Sequence, residues 1–93
     1  MNNWFKSHQI EDKEGLFGEV SVLYRLYMDD EGLPIVFTEC YVQKYGHWYE
    51  EITSFSSEES ACAFVSITTK ELAENWLDRA VEQQGLPIEL IES

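Results

Sequence analysis

The sequence predicts an α+β fold, in which an antiparallel meander sheet packs against one long or two consecutive C-terminal helices. Apolar and polar residues alternate between residues 19 and 55, which is the period of a half-buried strand. From Ser56 onward the apolar residues recur at steps of three and four, which is the period of a helix. The chain has 93 residues, of which 44% are hydrophobic, and this is enough for one core. We therefore expect a single domain over residues 1–93.

Three strands joined by two tight turns form the predicted meander. The first covers residues 19–28, where β-branched and aromatic residues alternate with polar ones. Residues 29–32, Asp-Asp-Glu-Gly, have the composition of a hairpin turn, and an extended pattern resumes over residues 35–45. Gly46 interrupts this pattern before a third strand over residues 48–55.

The start and the end of the helical region carry recognisable signals. Ser56 with Glu59, and Ser57 beside it, form a capping-box signature, in which a hydroxyl accepts a hydrogen bond from a free backbone N–H of the first turn. Gly85, with Pro87 beyond it, predicts the end of the region.

The number of helices stays open at this point. One helix over residues 57–84 would be about 42 Å long, which is long for a domain of this size. Residues 65–69 are weak helix formers, and Thr68 with Glu71 offers a second capping box, so two helices meeting near residues 66–69 fit equally well. The residues predicted to pack on the sheet are Val65, Leu72, Trp76 and Ala80.

The two ends of the chain give weaker signals. Residues 2–14 have a weakly helical pattern. Residues 86–91 alternate and could add a final edge strand to the sheet.

Charge limits the class of partner. The chain has 18 acidic and 6 basic residues and a net charge of −12. Nucleic-acid backbones and anionic membranes are bound by clustered Lys and Arg, so we expect neither as a direct partner. The sequence contains neither a membrane-spanning apolar run nor the apolar run of a signal peptide, so a cytoplasmic protein is expected.

No pattern of catalytic or metal-binding residues stands out. His8, His47, Cys40 and Cys62 lack the spacing of metal ligands, and Gly-rich phosphate loops and nucleophile motifs are absent from the sequence. We therefore expect no cofactor, no metal and no enzymatic activity. Both cysteines are expected to be free thiols with a core-packing role.

The remaining functional candidates combine acid with exposed aromatic groups. Excess negative charge complements a basic partner, and Tyr and Trp often anchor protein interfaces. The predicted partner-binding residues lie in the hairpin turn and the third strand: Asp29, Asp30, Glu31, Trp48, Tyr49, Glu50 and Glu51.

Residues 46–64, GHWYEEITSFSSEESACAF, resemble a segment of small bacterial immunity proteins from contact-dependent and polymorphic toxin systems. In these proteins a last meander strand ending in Phe leads into a helix that opens with Ser-Glu-Glu. The resemblance implies a cytoplasmic antitoxin that binds one cognate toxin domain and has no catalytic residues.

The charge adds the expectation that the toxin is a basic nuclease, because an acidic antitoxin can place carboxylates where phosphates would lie. The alternative is an acidic DNA mimic that inhibits a restriction or CRISPR nuclease. A mimic should space its carboxylates in two rows, whereas an antitoxin should mix them with an aromatic anchor. A small enzyme with Cys40 as nucleophile is a third hypothesis.

Overall fold

Four antiparallel strands and two helices form the fold in the computed structural model, which describes residues 4–11 and 17–86. The elements in chain order are β1 (Phe5–Glu11), β2 (Glu19–Met28), β3 (Pro34–Val42), a single-turn 3-10 helix (Gln43–Tyr45), β4 (His47–Ser54), α1 (Glu58–Ile67) and α2 (Lys70–Gln84). The extended pattern predicted over residues 35–45 therefore ends at Val42. The strands lie in the order β1-β2-β3-β4, so the chain is a simple meander. This confirms the predicted α+β class.

The predicted hairpin between β2 and β3 is closed by a compact turn. Asp29 Oδ1 accepts hydrogen bonds from the backbone N–H groups of Glu31 at 2.9 Å and Leu33 at 2.8 Å. Gly32 has φ of 82°, which only glycine adopts without strain. Beyond the turn, the register places Tyr24 opposite Thr38. The Asp and Gly of the predicted turn are therefore both used to build it.

The prediction of a weak helix near the N-terminus is wrong, because residues 5–11 form β1. This strand pairs along its whole length with β2, with Ile10 opposite Val20. Its alternation is hard to see in the sequence because Lys6 and His8 lie on the inward side, where apolar residues are the usual signal.

Lys6 and His8 use their polar groups to hold the junction between the helices. Lys6 Nζ donates to the backbone carbonyls of Ser66 at 3.0 Å and Thr68 at 2.9 Å, next to the end of α1. The Thr68 hydroxyl donates to the Val65 carbonyl at 2.8 Å and thus accepts from His8 Nε2 at 2.9 Å. The edge strand β1 is therefore fastened directly to the helix junction.

The helical region consists of two helices, which settles the alternative that the sequence left open. The first helix is capped by Ser57, which belongs to the predicted capping signature, whereas the second is capped by Thr69, one residue after the predicted Thr68. Ser57 accepts from Ser60 N–H and Thr69 accepts from Leu72 N–H, each at 3.1 Å. Thr68 instead ends α1 in an extended conformation, with ψ of 142°, which separates the two helices.

One core lies between the helices and the sheet. The largest side chains in it come from both layers: Ile10, Phe17, Tyr24, Leu26, Tyr49, Trp76 and Leu77. Of the helix residues predicted to pack there, Val65, Trp76 and Ala80 are buried, but Leu72 is 46% exposed. The face of α2 that packs on the sheet thus includes Ala73 and Leu77 instead of Leu72, and the prediction for Leu72 is wrong.

The end of α2 is tied to β4. Tyr49 Oη donates to the Gly85 carbonyl at 2.8 Å, and Gln84 Nε2 donates to the Glu50 carbonyl at 3.1 Å. Since the helix junction is fastened to β1, α2 crosses the sheet from one edge strand to the other. The candidate final strand over residues 86–91 lies outside the described residues, except for Leu86, which is not in a strand.

Replacing Trp76 with alanine should lower the free energy of unfolding by about 3–5 kcal/mol, because the indole is 4% exposed and its removal leaves a cavity. Leu72→Ala on the same helix is the matched control and should cost less than about 1 kcal/mol. Urea denaturation of the two variants measures both values. Equal costs would contradict the packing of α2 described above.

Acid should weaken the fold through His8. Burial, and secondarily the charge of Lys6, lower the pKa of His8 below its ordinary 6.5. The unfolded chain therefore binds this proton more readily, so the free energy of unfolding should fall as the pH drops through about 6.5 and be fully retained above it. Denaturation of wild type and His8→Gln from about pH 8 to about pH 5 measures the difference. Identical pH profiles would contradict the contribution of His8.

Candidate functional site

The helices cover one face of the sheet, and no described element covers the other, which we call the open face. It consists of alternate residues of the four strands, starting at Phe5, Glu19, Ile35 and Trp48. Its large apolar and aromatic members are Phe5, Leu23, Tyr27, Ile35, Phe37, Tyr41, Trp48 and Ile52. A soluble domain normally shields such a group of side chains, so this face is the candidate functional site.

One half of the open face, next to the β2–β3 hairpin, is mainly apolar. The register sets Phe5, Arg25, Phe37 and Ile52 side by side across all four strands. Phe5 and Ile52, at the two edges of this row, are each 61% exposed. The row therefore offers apolar side chains on three of the four strands, with Arg25 on β2 between Phe5 and Phe37.

The other half of the open face is acidic. Glu11 lies directly opposite Glu19, and Glu39 lies directly opposite Glu50. Like charges in directly opposite positions destabilise a sheet. Arg25 is the one cation on the described part of this face, and it pairs with Glu39. The other three carboxylates therefore have no basic neighbour among the described residues of the open face.

Arg25 shows how this face accommodates a guanidinium group. Its Nη2 donates to Glu39 Oε1, and its Nη1 donates to the Tyr27 hydroxyl at 3.0 Å. The hydrogen bond with Glu39 is the main cause of the raised pKa of Arg25. A carboxylate and an aromatic residue together hold the cation.

A trough of about 400 Å³ lies within the acidic half. The short side chains of Ser7 and Ser21 leave space there, and the rings of Tyr41 and Trp48 stand beside it. These two rings are in contact, with centroids 4.3 Å apart and planes tilted by 37°. Glu19 also lines the trough, so one concave surface combines an aromatic pair with a carboxylate.

The predicted residues of the third strand are divided between the two faces. Trp48 and Glu50 lie on the open face, and Trp48 is 50% exposed. Tyr49 is fully buried in the core beneath the helices, so it is not available as an exposed anchor. Glu51 lies on the helix side, where it lines a separate cavity of about 230 Å³ with Arg79.

The predicted acids of the hairpin turn lie far from Trp48. At roughly 3.3 Å per residue, β3 separates the turn from the Tyr41–Trp48 pair by about 25 Å. Asp30 and Glu31 are exposed at the turn, whereas Asp29 is engaged in its hydrogen bonds. The seven predicted residues therefore do not form one compact site.

Several members of the open face were not predicted as binding residues. Glu11 and Phe5 were missed because β1 was read as helical, and Glu19 was missed because its apposition to Glu11 depends on the strand pairing. Apolar periodicity does not mark this strand in the sequence, because the outward set Phe5, Ser7 and Gln9 and the inward set Lys6, His8 and Ile10 each contain only one apolar residue.

Cys40 has the environment of a structural thiol. It is fully buried between the sheet and the helices, and burial raises its pKa to about 12. The reactive form of cysteine is the thiolate, which is a minor species at neutral pH for such a group. Cys62, on α1, is partly buried.

Residues 4–11 and 17–86 contain no group of three or more His, Cys, Asp or Glu side chains placed to hold a metal ion. Within the same residues, no helix has the length and apolar character needed to cross a membrane. Comparison of the chain with protein-family models, with curated proteins and with solved structures found no match.

Cys40 should resist thiol reagents in the folded protein, because it is both inaccessible and protonated. In a Cys62→Ser variant, where Cys40 is the only thiol, mass spectrometry should show slow labelling in buffer and fast labelling in denaturant. In the reciprocal Cys40→Ser variant, the partly buried Cys62 should be labelled faster in buffer. Rapid native labelling of Cys40 would contradict this description and favour the enzyme hypothesis.

Proposed function

We propose that this chain is a bacterial immunity protein, an antitoxin that binds and neutralises a cognate toxin domain in the cytoplasm. The toxin domain is a basic nuclease, and the antitoxin has no catalytic role of its own. The observation that carries the proposal is the open face, whose described residues include exposed aromatic side chains, four glutamates and a single arginine. The partner class comes from the resemblance of residues 46–64.

The chemistry of a nuclease explains why such a face would neutralise it. A nuclease needs a basic cleft to hold the phosphates of its substrate. Glu11, Glu19 and Glu50 can approach this cleft as phosphate substitutes, and Trp48 supplies apolar contact that remains when the charges are screened. Occupation of the cleft then excludes the nucleic acid without any covalent step.

The mixed chemistry of the face favours the antitoxin over a DNA mimic. A mimic has to reproduce the two rows of phosphates along a duplex. The carboxylates of the open face instead form two cross-strand pairs that are interrupted by Tyr41 and Trp48. An aromatic anchor among acids fits a protein surface with basic and apolar parts.

Charge also argues against a second copy of the chain as the main occupant of this face. Two copies with a net charge of −12 each repel one another at long range. Face-to-face contact would also add the Glu11–Glu19 and Glu39–Glu50 repulsions of one copy to those of the other. A basic partner relieves the same repulsion, which selects a foreign protein over self-association.

Co-expression tests the proposal directly. The toxin domain encoded immediately upstream should kill a bacterial host when expressed alone, and the wild-type chain should restore growth. The double charge reversal Glu19→Lys/Glu50→Lys should reduce this protection, because it places cations where the toxin is basic. Glu74→Lys/Glu82→Lys on α2 makes the same change of net charge and should still protect. Absence of protection by the wild-type chain would exclude the antitoxin.

Salt should act mainly on the rate of association with the toxin. Raising the salt from about 0.05 M to about 0.5 M shortens the Debye length from more than 10 Å to less than 5 Å and screens the long-range attraction. The association rate constant should then fall at least tenfold, and the dissociation rate constant should change much less, because the aromatic contacts are short-ranged. Surface plasmon resonance measures both constants. A salt-independent association rate would contradict electrostatic steering.

A further inference from the structure

We propose that the trough on the open face is a pocket for an arginine side chain of the partner. The inference rests on the proposed function, since it names the group by which a basic toxin domain would be recognised. The trough holds about 400 Å³, which is ample for a guanidinium group with its aliphatic stem. Its lining provides the two kinds of surface that arginine binds best, an aromatic plane and a carboxylate.

The aromatic plane is the Tyr41–Trp48 pair at one side of the trough. The two exposed rings hold each other at a centroid distance of 4.3 Å, so they form a preorganised surface. Guanidinium groups stack on aromatic faces, and indole gives the strongest cation–π attraction. A partner arginine would therefore find its stacking surface already formed.

The carboxylate available to that arginine is Glu19. It lines the trough and lies opposite Glu11, so a cation between them would remove a repulsion. Glu39 also lines the trough, but Arg25 already binds it. The Arg25–Glu39 pair is an internal example of the carboxylate contact only, because Arg25 hydrogen-bonds the Tyr27 hydroxyl.

The short residues of β1 and β2 make the pocket accessible. Ser7 and Ser21 lie on neighbouring strands and line the trough next to Gln9, which is opposite Ser21. Hydroxyl and amide oxygens at this position can accept the remaining N–H donors of a guanidinium group. The pocket thus offers acceptors beside the aromatic plane as well as the charge of Glu19.

A nuclear magnetic resonance titration tests the pocket without the toxin. The probe is the peptide acetyl-Gly-Arg-Gly-amide, and its control contains citrulline, which has nearly the same shape as arginine but no charge. The arginine peptide should shift the backbone amide signals of Ser7 and Ser21, with a dissociation constant in the millimolar range. The citrulline peptide should bind at least about threefold more weakly, because it lacks the ionic contact.

Two variants locate the contact, and a third controls for net charge. Glu19→Gln should weaken binding of the arginine peptide about threefold, and Trp48→Leu should weaken it by a similar factor. Glu82→Gln removes the same charge on α2, away from the open face, and should leave the dissociation constant within a factor of about 1.5. Unchanged amide signals elsewhere in the sheet of each variant establish that it is folded.

The outcomes separate the pocket from the antitoxin function. Equal binding of the two peptides, absence of shifts at Ser7 and Ser21, or equal weakening by Glu19→Gln and Glu82→Gln would each overturn the arginine pocket. None of these results depends on the toxin. Conversely, failure of the wild-type chain to protect cells from the upstream toxin would overturn the proposed function, even if the peptide titration identified an arginine pocket.

Discussion

Side chains alternate between the two faces of a strand, and the helices of this chain cover only one face of the sheet. Every second strand residue therefore lies on a face that no described element covers. The core depends on this alternation of side chains between the two faces. Val22, Cys40 and Tyr49 lie side by side across three strands on the covered face, and all three are fully buried. A shift of one residue in register would exchange the faces and expose them. The position of Trp48 on the open face is therefore fixed by the burial of its neighbour Tyr49.

The helices are also held on the covered face by polar contacts at the junction between α1 and α2. At this point the chain breaks its helical hydrogen bonding, and the carbonyl groups beside the break need other donors. Lys6 supplies donors to two carbonyls, and the Thr68 hydroxyl satisfies a third while accepting from His8. Tyr49 and Gln84 hold the far end of α2 on β4. Polar contacts at both edges of the sheet thus add to the apolar packing that holds α2 in place.

The sequence was informative where local pattern and tertiary environment agree. In β2 the alternating residues are apolar on the buried side, so both the strand and its inward face were predictable. In β1 the inward residues Lys6 and His8 are polar because they bind the helix junction, which local periodicity cannot reveal. The cap at Thr69 was missed by one residue and the choice between Ser56 and Ser57 was left open, since adjacent hydroxyl residues offer equivalent signals. The candidate site was only partly predictable for a related reason: acids and aromatics can be counted in a sequence, but their apposition requires the strand register.

The strand register places two unfavourable features, opposed glutamates and uncovered aromatic rings, on the same face of the sheet. Opposed glutamates and uncovered aromatic rings each oppose the stability or the solubility of an isolated domain, and both occur on the open face. On the covered face, by contrast, apolar residues are buried and Lys6, His8 and Tyr49 have hydrogen-bond partners. Sequences tend to depart from local design rules where function demands it. A basic partner with apolar contacts would relieve both departures at once, neutralising the glutamates and covering the rings, whereas an uncharged apolar partner would bury the glutamates without compensation. If the open face binds a protein, as the proposed function requires, its composition therefore favours a basic partner over an uncharged one.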